Sequence, residues 1–291
     1  MYRSLKRYLA PLLPGPWIDY LKSRCQSRVS DGVASDFKLD ISDTSIQCTI
    51  IGSSSFLMPR ECECEYELTD LTTSQDARLE LSGIARLASA PGGTLFDIGA
   101  NVGIISALFC ASNPANRSYG FEPSPSFHDR FRTACILNHL EGRMFLQPFA
   151  IGKEKATLEM LIDPASGYVQ AQRFKHSMWE TPRRIEVSVE TIPDASDRLG
   201  VIPDLIKLDI EGYEYEAICG AQSFLSKHKP VLLLELHLNY LDERNLSAKE
   251  LVSMLTSCGY SFFTHAGTAL RPREIYDSPL SDVHILARAT G

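Results

Sequence analysis

Thr94-Leu95-Phe96-Asp97-Ile98-Gly99-Ala100-Asn101-Val102-Gly103 is the stretch that decides how this chain folds. Its first five residues read as a strand, 94–98. Glycines at 99 and 103 then end that strand in a tight turn, because glycine lets the backbone turn sharply and approach a ligand closely. A helix is expected over about 102–112. Toward the C-terminus the two signals keep alternating. A strand at 117–121 ends at Glu122-Pro123, and a helix covers 124–140. A third strand is read at 145–150, and strand-like segments at 155–162 and 185–191 flank an irregular stretch. Strands follow at 204–209 and 231–237, with helices at 213–228 and 247–258, and strands near 260–264 and 283–288 finish the chain. Alternating strands and helices predict a parallel sheet with crossover helices. The unbroken apolar run 231–234 suits a strand buried on both faces.

Toward the N-terminus, residues 67–89 have helical periodicity and residues 36–66 alternate as a small β preface. In Glu61-Cys62-Glu63-Cys64-Glu65-Tyr66, strict alternation predicts a strand with Cys62, Cys64 and Tyr66 on one face. The expectation is an α/β domain over 67–291, doubly wound around a mostly parallel seven-stranded sheet. A small α+β extension over 1–66 precedes it.

Composition narrows the function classes. A chain of 291 residues, 44% hydrophobic and 22% charged, is an ordinary globular protein. A net charge of −7 argues against a nucleic-acid partner, which requires a basic footprint. Residues 1–30 hold six basic residues and one acid, so that segment is +5 and the rest is −12. With Tyr2, Leu5, Leu9 and Trp17, residues 1–24 could touch an anionic membrane surface. No run approaches the 18 or so apolar residues of a spanning helix. The eight cysteines are scattered, several in apolar runs, which reads as reduced thiols and a cytoplasmic setting, with peripheral membrane contact at most.

Doubly wound sheets bind ligands outside the carboxyl ends of their strands. After the first strand, Asn101 and Ile104 stand where a G-x-G-x-x-G fingerprint needs glycine, so the turn suits a pyrophosphate poorly. Asp97 suits a ligand bearing an ammonium group. Glu122 stands 25 residues later at the end of the second strand, where a carboxylate can accept both ribose hydroxyls. Together they predict an adenosine-type ligand, with Asp97, Gly99, Asn101, Gly103 and Glu122 as its binding residues. After the fourth strand comes Lys207-Leu208-Asp209-Ile210-Glu211-Gly212-Tyr213-Glu214. By strand alternation 207, 209 and 211 share a face, and clustered acids at a strand end can act as bases. Helix capping is the alternative reading for Glu211 and Glu214. After the fifth strand, Glu235 and His237 point the same way, and His237 could take a proton from a hydroxyl. Asp209, Glu211 and His237 are therefore the candidate catalytic residues. The 22-residue stretch 163–184 carries Tyr168, Phe174, His176 and Trp179 beside Arg173, Lys175, Arg183 and Arg184. Loops of such length are usually functional or disordered, and this one is expected to cover a sugar-like acceptor.

These signals, in this order, resemble the FkbM family of S-adenosylmethionine (SAM)-dependent methyltransferases. The matching text is 95–103, Phe121-Glu122-Pro123, 206–214 and Leu234-Glu235-Leu236-His237, and the resemblance spans roughly 65–265. It implies a class I, Rossmann-like fold and SAM as cofactor, bound by Asp97, Gly99 and Glu122. It also implies O-methylation of sugars, glycolipids or secondary metabolites. No metal is assigned. A divalent ion held by Asp209, Glu211, Glu235 or His237 is the less favoured way of activating a hydroxyl. A nucleic-acid amino methyltransferase would need an Asn/Asp-Pro-Pro-aromatic motif after the fourth strand, where this chain has Asp209-Ile210-Glu211-Gly212. The remaining alternatives are a non-catalytic SAM-binding or scaffold protein and an NAD-dependent oxidoreductase.

Overall fold

A computed structural model describes residues 37–50, 54–64, 75–88, 92–164, 166–170, 172 and 181–289. The basic segment 1–24 and the 173–180 part of the proposed cover lie outside the described residues. The chain opens with an antiparallel sheet of β1 (Phe37–Ile41), β2 (Ser45–Ile50) and β3 (Ser55–Pro59). The strand expected through Cys62 and Cys64 is instead a 3-10 turn, Arg60–Cys64, with Cys62 buried. Alternating charge and thiol mimics the strand period, but Pro59 ends β3 just before it.

Helix α1 (Gln75–Ala88) leads to β4 (Thr94–Ile98), α2 (Ile104–Ser112), β5 (Arg117–Phe121), α3 (Pro125–Leu137) and β6 (Met144–Gln147). Four short or medium strands follow: β7 (Ala150–Ile151), β8 (Ala156–Ile162), β9 (Val169–Gln170) and β10 (Arg183–Glu190). Then come α4 (Ile192–Leu199), β11 (Leu205–Leu208), α5 (Glu214–His228), β12 (Val231–His237), α6 (Leu238–Glu243) and α7 (Ala248–Ser257). The chain closes with β13 (Tyr260–Phe263), β14 (Ala269–Leu270), α8 (Pro272–Tyr276) and β15 (Asp282–Ala289).

The central sheet has the order β14-β13-β15-β12-β11-β4-β5-β6. From β12 to β6 neighbouring strands are parallel, while β15 runs antiparallel to both β12 and β13. The seven expected strands are present, and the two-residue β14 makes an eighth on the edge. The stretch read as one strand over 145–150 is two, because β6 closes the large sheet and β7 joins the second one.

Alternate residues of the core strands feed opposite faces of the sheet, as the two-residue strand period requires. Leu95, Leu205 and Leu233 pack on the face covered by α1, α2, α3 and the β1–β3 sheet. Phe96, Ile98, Ile206, Leu208, Leu232 and Leu234 pack on the other, against α4, α5, α7 and α8. Phe96 meets Tyr119 and Phe121 edge-on at 5.9 and 5.1 Å, pairs worth about 0.5–1.5 kcal/mol each beyond their buried area. The β1–β3 sheet shares the first of these cores, through Ile46, Phe56 and Met58. Asn138, just past α3, fastens it by exchanging two 2.7 Å hydrogen bonds with the backbone of Leu57.

The second sheet, β7-β10-β8-β9, is inserted between β6 and α4. Strand β10 pairs antiparallel with β8 along its length and parallel with β7. The stretch expected to be irregular over 163–184 contains β9 at 169–170, and its last two residues, 183–184, belong to β10. No helix among the described residues is long and apolar enough to cross a membrane. Cys48, Cys110, Cys135, Cys219 and Cys258 are thiols.

Candidate active site

One cavity lies past the carboxyl ends of β4, β5 and β11, with the second sheet as its roof. Gly99, Asn101, Glu122, Asp209 and Glu211 line it from below, and Ile151, Leu158, Met160, Tyr168 and Val189 line it from the inserted sheet and its turns. Two turns build its floor. In the first, Gly99 has φ +79°, and a side chain there would overlap the carbonyl oxygen of Asp209. Only glycine lets the turns after β4 and β11 touch. Asn101 is also left-handed, with φ 50°. Its backbone N–H donates to Glu122 Oε2 at 2.9 Å, while the N–H of Ser124 donates to Glu122 Oε1 at 2.7 Å.

Glu122 is buried, and burial pushes its carboxyl up to about 7 despite those two donors. Each carboxylate oxygen has two lone pairs, so two N–H bonds leave acceptor capacity facing the cavity. The side-chain oxygen of Asn101 is buried without a hydrogen-bond partner among the described residues. Both features fit a ligand that brings O–H or N–H donors, as a ribose does.

The second turn follows β11, which ends at Leu208. Asp209 and Glu211 are therefore brought together by a turn and not by strand alternation: Glu211 is left-handed with φ 55°, and Gly212 follows with φ 89°. Glu214, wholly buried at the start of α5, closes this turn. Its Oε1 accepts the N–H groups of Ile210 and Gly212, both at 3.1 Å, and the Nδ1–H of His237 at 3.0 Å. The His237 ring stacks on Tyr240, centroids 5.4 Å apart.

His237 Nε2 faces Asp209 Oδ1 at 3.8 Å, Glu211 Oε2 at 3.9 Å and Glu235 Oε1 at 3.9 Å. Burial opposes charge on this imidazole, but Glu214, Asp209 and Glu211 outweigh it and raise its basicity well above the ordinary value. Burial likewise opposes charge on Asp209, yet Lys207 and His237 hold its carboxyl below the usual range. Lys207 Nζ reaches Asp209 Oδ2 at 3.0 Å and the carbonyl of Gly99 at 2.8 Å, which ties the two turns together. Burial pushes Glu211 up to about 7.

The expected site residues thus divide in three. Gly99, Asn101, Glu122, Asp209 and Glu211 meet at one cavity. Asp97 and Gly103 support it from outside the lining. Asp97 is fully buried, accepts the Ser106 hydroxyl at 2.6 Å, and is raised by that burial. Gly103 is the residue before α2, packed against Phe131 and Met144. His237 stands behind Asp209 and Glu211, outside the cavity lining. Sequence reasoning missed the clamp made by Glu214, the bridging role of Lys207 and the stacking of Tyr240. A glutamate just inside a predicted helix start was the one available signal for the first.

No curated protein matches the chain. Among solved structures it is similar to methyltransferase FkbM from Methylobacillus flagellatus KT, with 17% identity and a TM-score of 0.43 over 76% of this chain. The match spans about half of that protein, 52% of its chain. The chain is also similar to precorrin-6y C5,15-methyltransferase from Geobacter metallireducens GS-15, with 14% identity, a TM-score of 0.40 and coverage of 72% and 86% of the two chains. The sequence model of the methyltransferase FkbM domain matches residues 97–262, which take in both turns, the inserted sheet and the β12 strand end. That match covers more than half of the chain, which belongs to the FkbM methyltransferase family.

Proposed function

We propose that this chain is a SAM-dependent O-methyltransferase acting on a hydroxyl of a sugar, glycolipid or secondary metabolite. The observation that carries the reading is that Glu122, a ribose-type acceptor, and the carboxylates Asp209 and Glu211 line the same cavity. SAM supplies a methyl group already activated on a cationic sulfonium. Glu122 would accept the ribose hydroxyls, Asn101 would offer its side-chain amide oxygen, and the Gly99 turn would admit the ligand to the backbone.

The remaining task is to align an acceptor oxygen and remove its proton. Asp209 and Glu211 stand where that proton has to go. His237, expected from its strand-end position to take it, sits behind them outside the cavity lining, where the surrounding carboxylates favour its charged form. The proton acceptor is accordingly a carboxylate, and His237 orients the pair. Tyr168 packs edge-on against Phe127, with centroids 5.3 Å apart, and offers the cavity an aromatic surface suited to the C–H face of a sugar ring.

The test is incubation with methyl-labelled SAM and a panel of cell-envelope glycans, glycolipids and small hydroxylated metabolites. The product's methyl position is then read by NMR. A methyl ether is the expected product. Label on nitrogen or carbon contradicts the assignment to oxygen, and a chain that does not bind SAM contradicts the donor.

A further inference from the structure

We propose that Ser124 is a positioning residue that latches the roof of the cavity to the ribose clamp, so that donor binding at Glu122 firms the turn between β8 and β9. The proposal rests on the reading of Glu122 as the ribose acceptor of SAM.

Ser124 stands just before α3, where a serine hydroxyl ordinarily accepts a backbone N–H from the first turn of the helix. Among the described residues no N–H of α3 uses it. The wholly buried hydroxyl instead donates to the carbonyl oxygen of Gly167 at 2.6 Å, 43 residues further along the chain. The backbone N–H of the same serine goes to Glu122 Oε1 at 2.7 Å. One residue thus holds the clamp with its backbone and the roof with its side chain. Neither Ser124 nor Gly167 is part of the cavity lining, so any effect they have on a ligand passes through their neighbours.

The roof side of the latch is shaped to meet it. Gly167 has φ +85°, and a Cβ there would stand 2.7 Å from Cβ of Ser126, so glycine is what lets the turn come down on the start of α3. Asp163 fixes that turn from within. Its Oδ2 accepts the N–H and the hydroxyl of Ser166 at 3.1 and 2.7 Å, and its carbonyl accepts the N–H of Gly167 at 2.8 Å. Tyr168, the next residue, then reaches Phe127, and both rings stand in the cavity wall.

The coupling follows from the clamp's two protonation states. An ionised Glu122 holds the Ser124 N–H more strongly than the protonated acid does, because a charged acceptor makes the stronger hydrogen bond. Burial has pushed this carboxyl up to about 7, so the empty clamp is partly protonated near neutral pH. Ribose hydroxyls favour the ionised form. Donor binding therefore tightens the Ser124 backbone, and with it the hydroxyl that carries Gly167. Coupling between two places is reciprocal, so loosening the latch must weaken the donor.

The experiment uses the full chain near neutral pH with SAM as the probe, read by calorimetry and by amide hydrogen exchange with mass spectrometry. In the wild-type chain SAM should slow exchange over residues 160–170. Ser124→Ala keeps the N–H to Glu122 and removes only the hydroxyl. It should weaken SAM about two- to tenfold, the worth of one neutral hydrogen bond, and exchange over 160–170 should no longer respond to SAM. Gly167→Ala breaks the latch from the roof side and should give the same pattern, which keeps the test valid if Ser124→Ala fails to fold. A latch that is structural only would raise exchange over 160–170 equally with and without SAM and leave SAM affinity unchanged. That result overturns the coupling, as does wild-type exchange that ignores SAM. Failure of the donor reading looks different: the wild-type chain then binds no SAM, and the coupling falls with it.

Discussion

The turns after β4 and β11 are built alike and put to different uses. Each carries left-handed residues, Gly99 and Asn101 in one, Glu211 and Gly212 in the other. Each is held by a buried glutamate that accepts two backbone N–H groups, Glu122 for the first and Glu214 for the second. The difference lies in what else the glutamate meets. Glu122 lines the cavity with lone pairs to spare. Glu214 is sealed from solvent; its Oε1 also accepts from His237, while its Oε2 has no hydrogen-bond partner among the described residues. In the proposed function one carboxylate clamp doubles as a ligand contact, and the other supports a charged cluster. The same backbone device can therefore serve binding at one strand end and chemistry at the next.

Breaking the second turn's chemistry should give the largest effect. Glu211→Gln, which keeps the size of the side chain, should lower kcat by about 10²–10⁴ on any accepted hydroxyl, the usual contribution of a general base. SAM affinity should stay at the wild-type value, since Glu211 is not a donor contact in this account. Steady-state kinetics with parallel calorimetry check both halves.

The first turn should show the reverse pattern. Glu122→Ala removes one charge-assisted acceptor, which costs about 1.5–3 kcal/mol, or roughly 10–150-fold in SAM affinity. The two orphaned N–H groups of Asn101 and Ser124 cost folding stability as well, so the comparison is made on folded protein. Unchanged SAM affinity in a folded variant would separate Glu122 from the ribose.

A smaller effect sharpens the same comparison. Glu122 titrates near 7 in the ligand-free chain, raised mainly by burial. Ribose hydroxyls donate to the ionised form, so SAM binding should favour deprotonation. Affinity should then be full above about pH 8 and fall as pH drops through 7, by about tenfold at pH 6, one unit below the pKa. Binding at pH 7 should release a fraction of a proton, measurable by calorimetry in buffers of different ionisation enthalpy. Flat affinity between pH 6 and 8 would contradict the raised carboxyl.

The smallest expected change is at the roof. Tyr168→Ala removes an edge-on aromatic pair worth about 0.5–1.5 kcal/mol, so acceptor KM should rise roughly two- to tenfold with SAM binding intact. Wild-type kinetics would mean that the residue only packs on Phe127.

The large sheet was legible because its strands are bounded by turn residues and feed two apolar layers. The strands 117–121 and 231–237 were read with the bounds that β5 and β12 have. The inserted sheet was half legible. Strands β8 and β10 carry enough residues for a pattern, but β7 and β9 have two each, too few for a period to show. Helix α4 escaped notice although Thr191 caps it and Pro193 occupies its first turn, because its eight residues run straight on from β10.

In the site, the residue types were readable and their depth was not. Asp97, Glu122 and Glu214 are all acids near strand ends in the sequence. Only the fold makes one a hydroxyl acceptor for Ser106, one a cavity wall and one a clamp. His237 looked like a proton acceptor because strand alternation places it beside Glu235. Alternation cannot show that the ring stands behind Asp209 and Glu211, outside the cavity lining and already charged by the carboxylates around it.

On the proposed function, one cavity holds both the methyl donor and the carboxylates that take the acceptor's proton. A crystal structure with S-adenosylhomocysteine tests it most directly. Both ribose hydroxyls are expected on Glu122, the nucleoside under Leu158 and Met160, and the sulfur facing Asp209 and Glu211. A nucleoside bound away from Glu122, or a sulfur on the far side of the cavity from those two carboxylates, would contradict it.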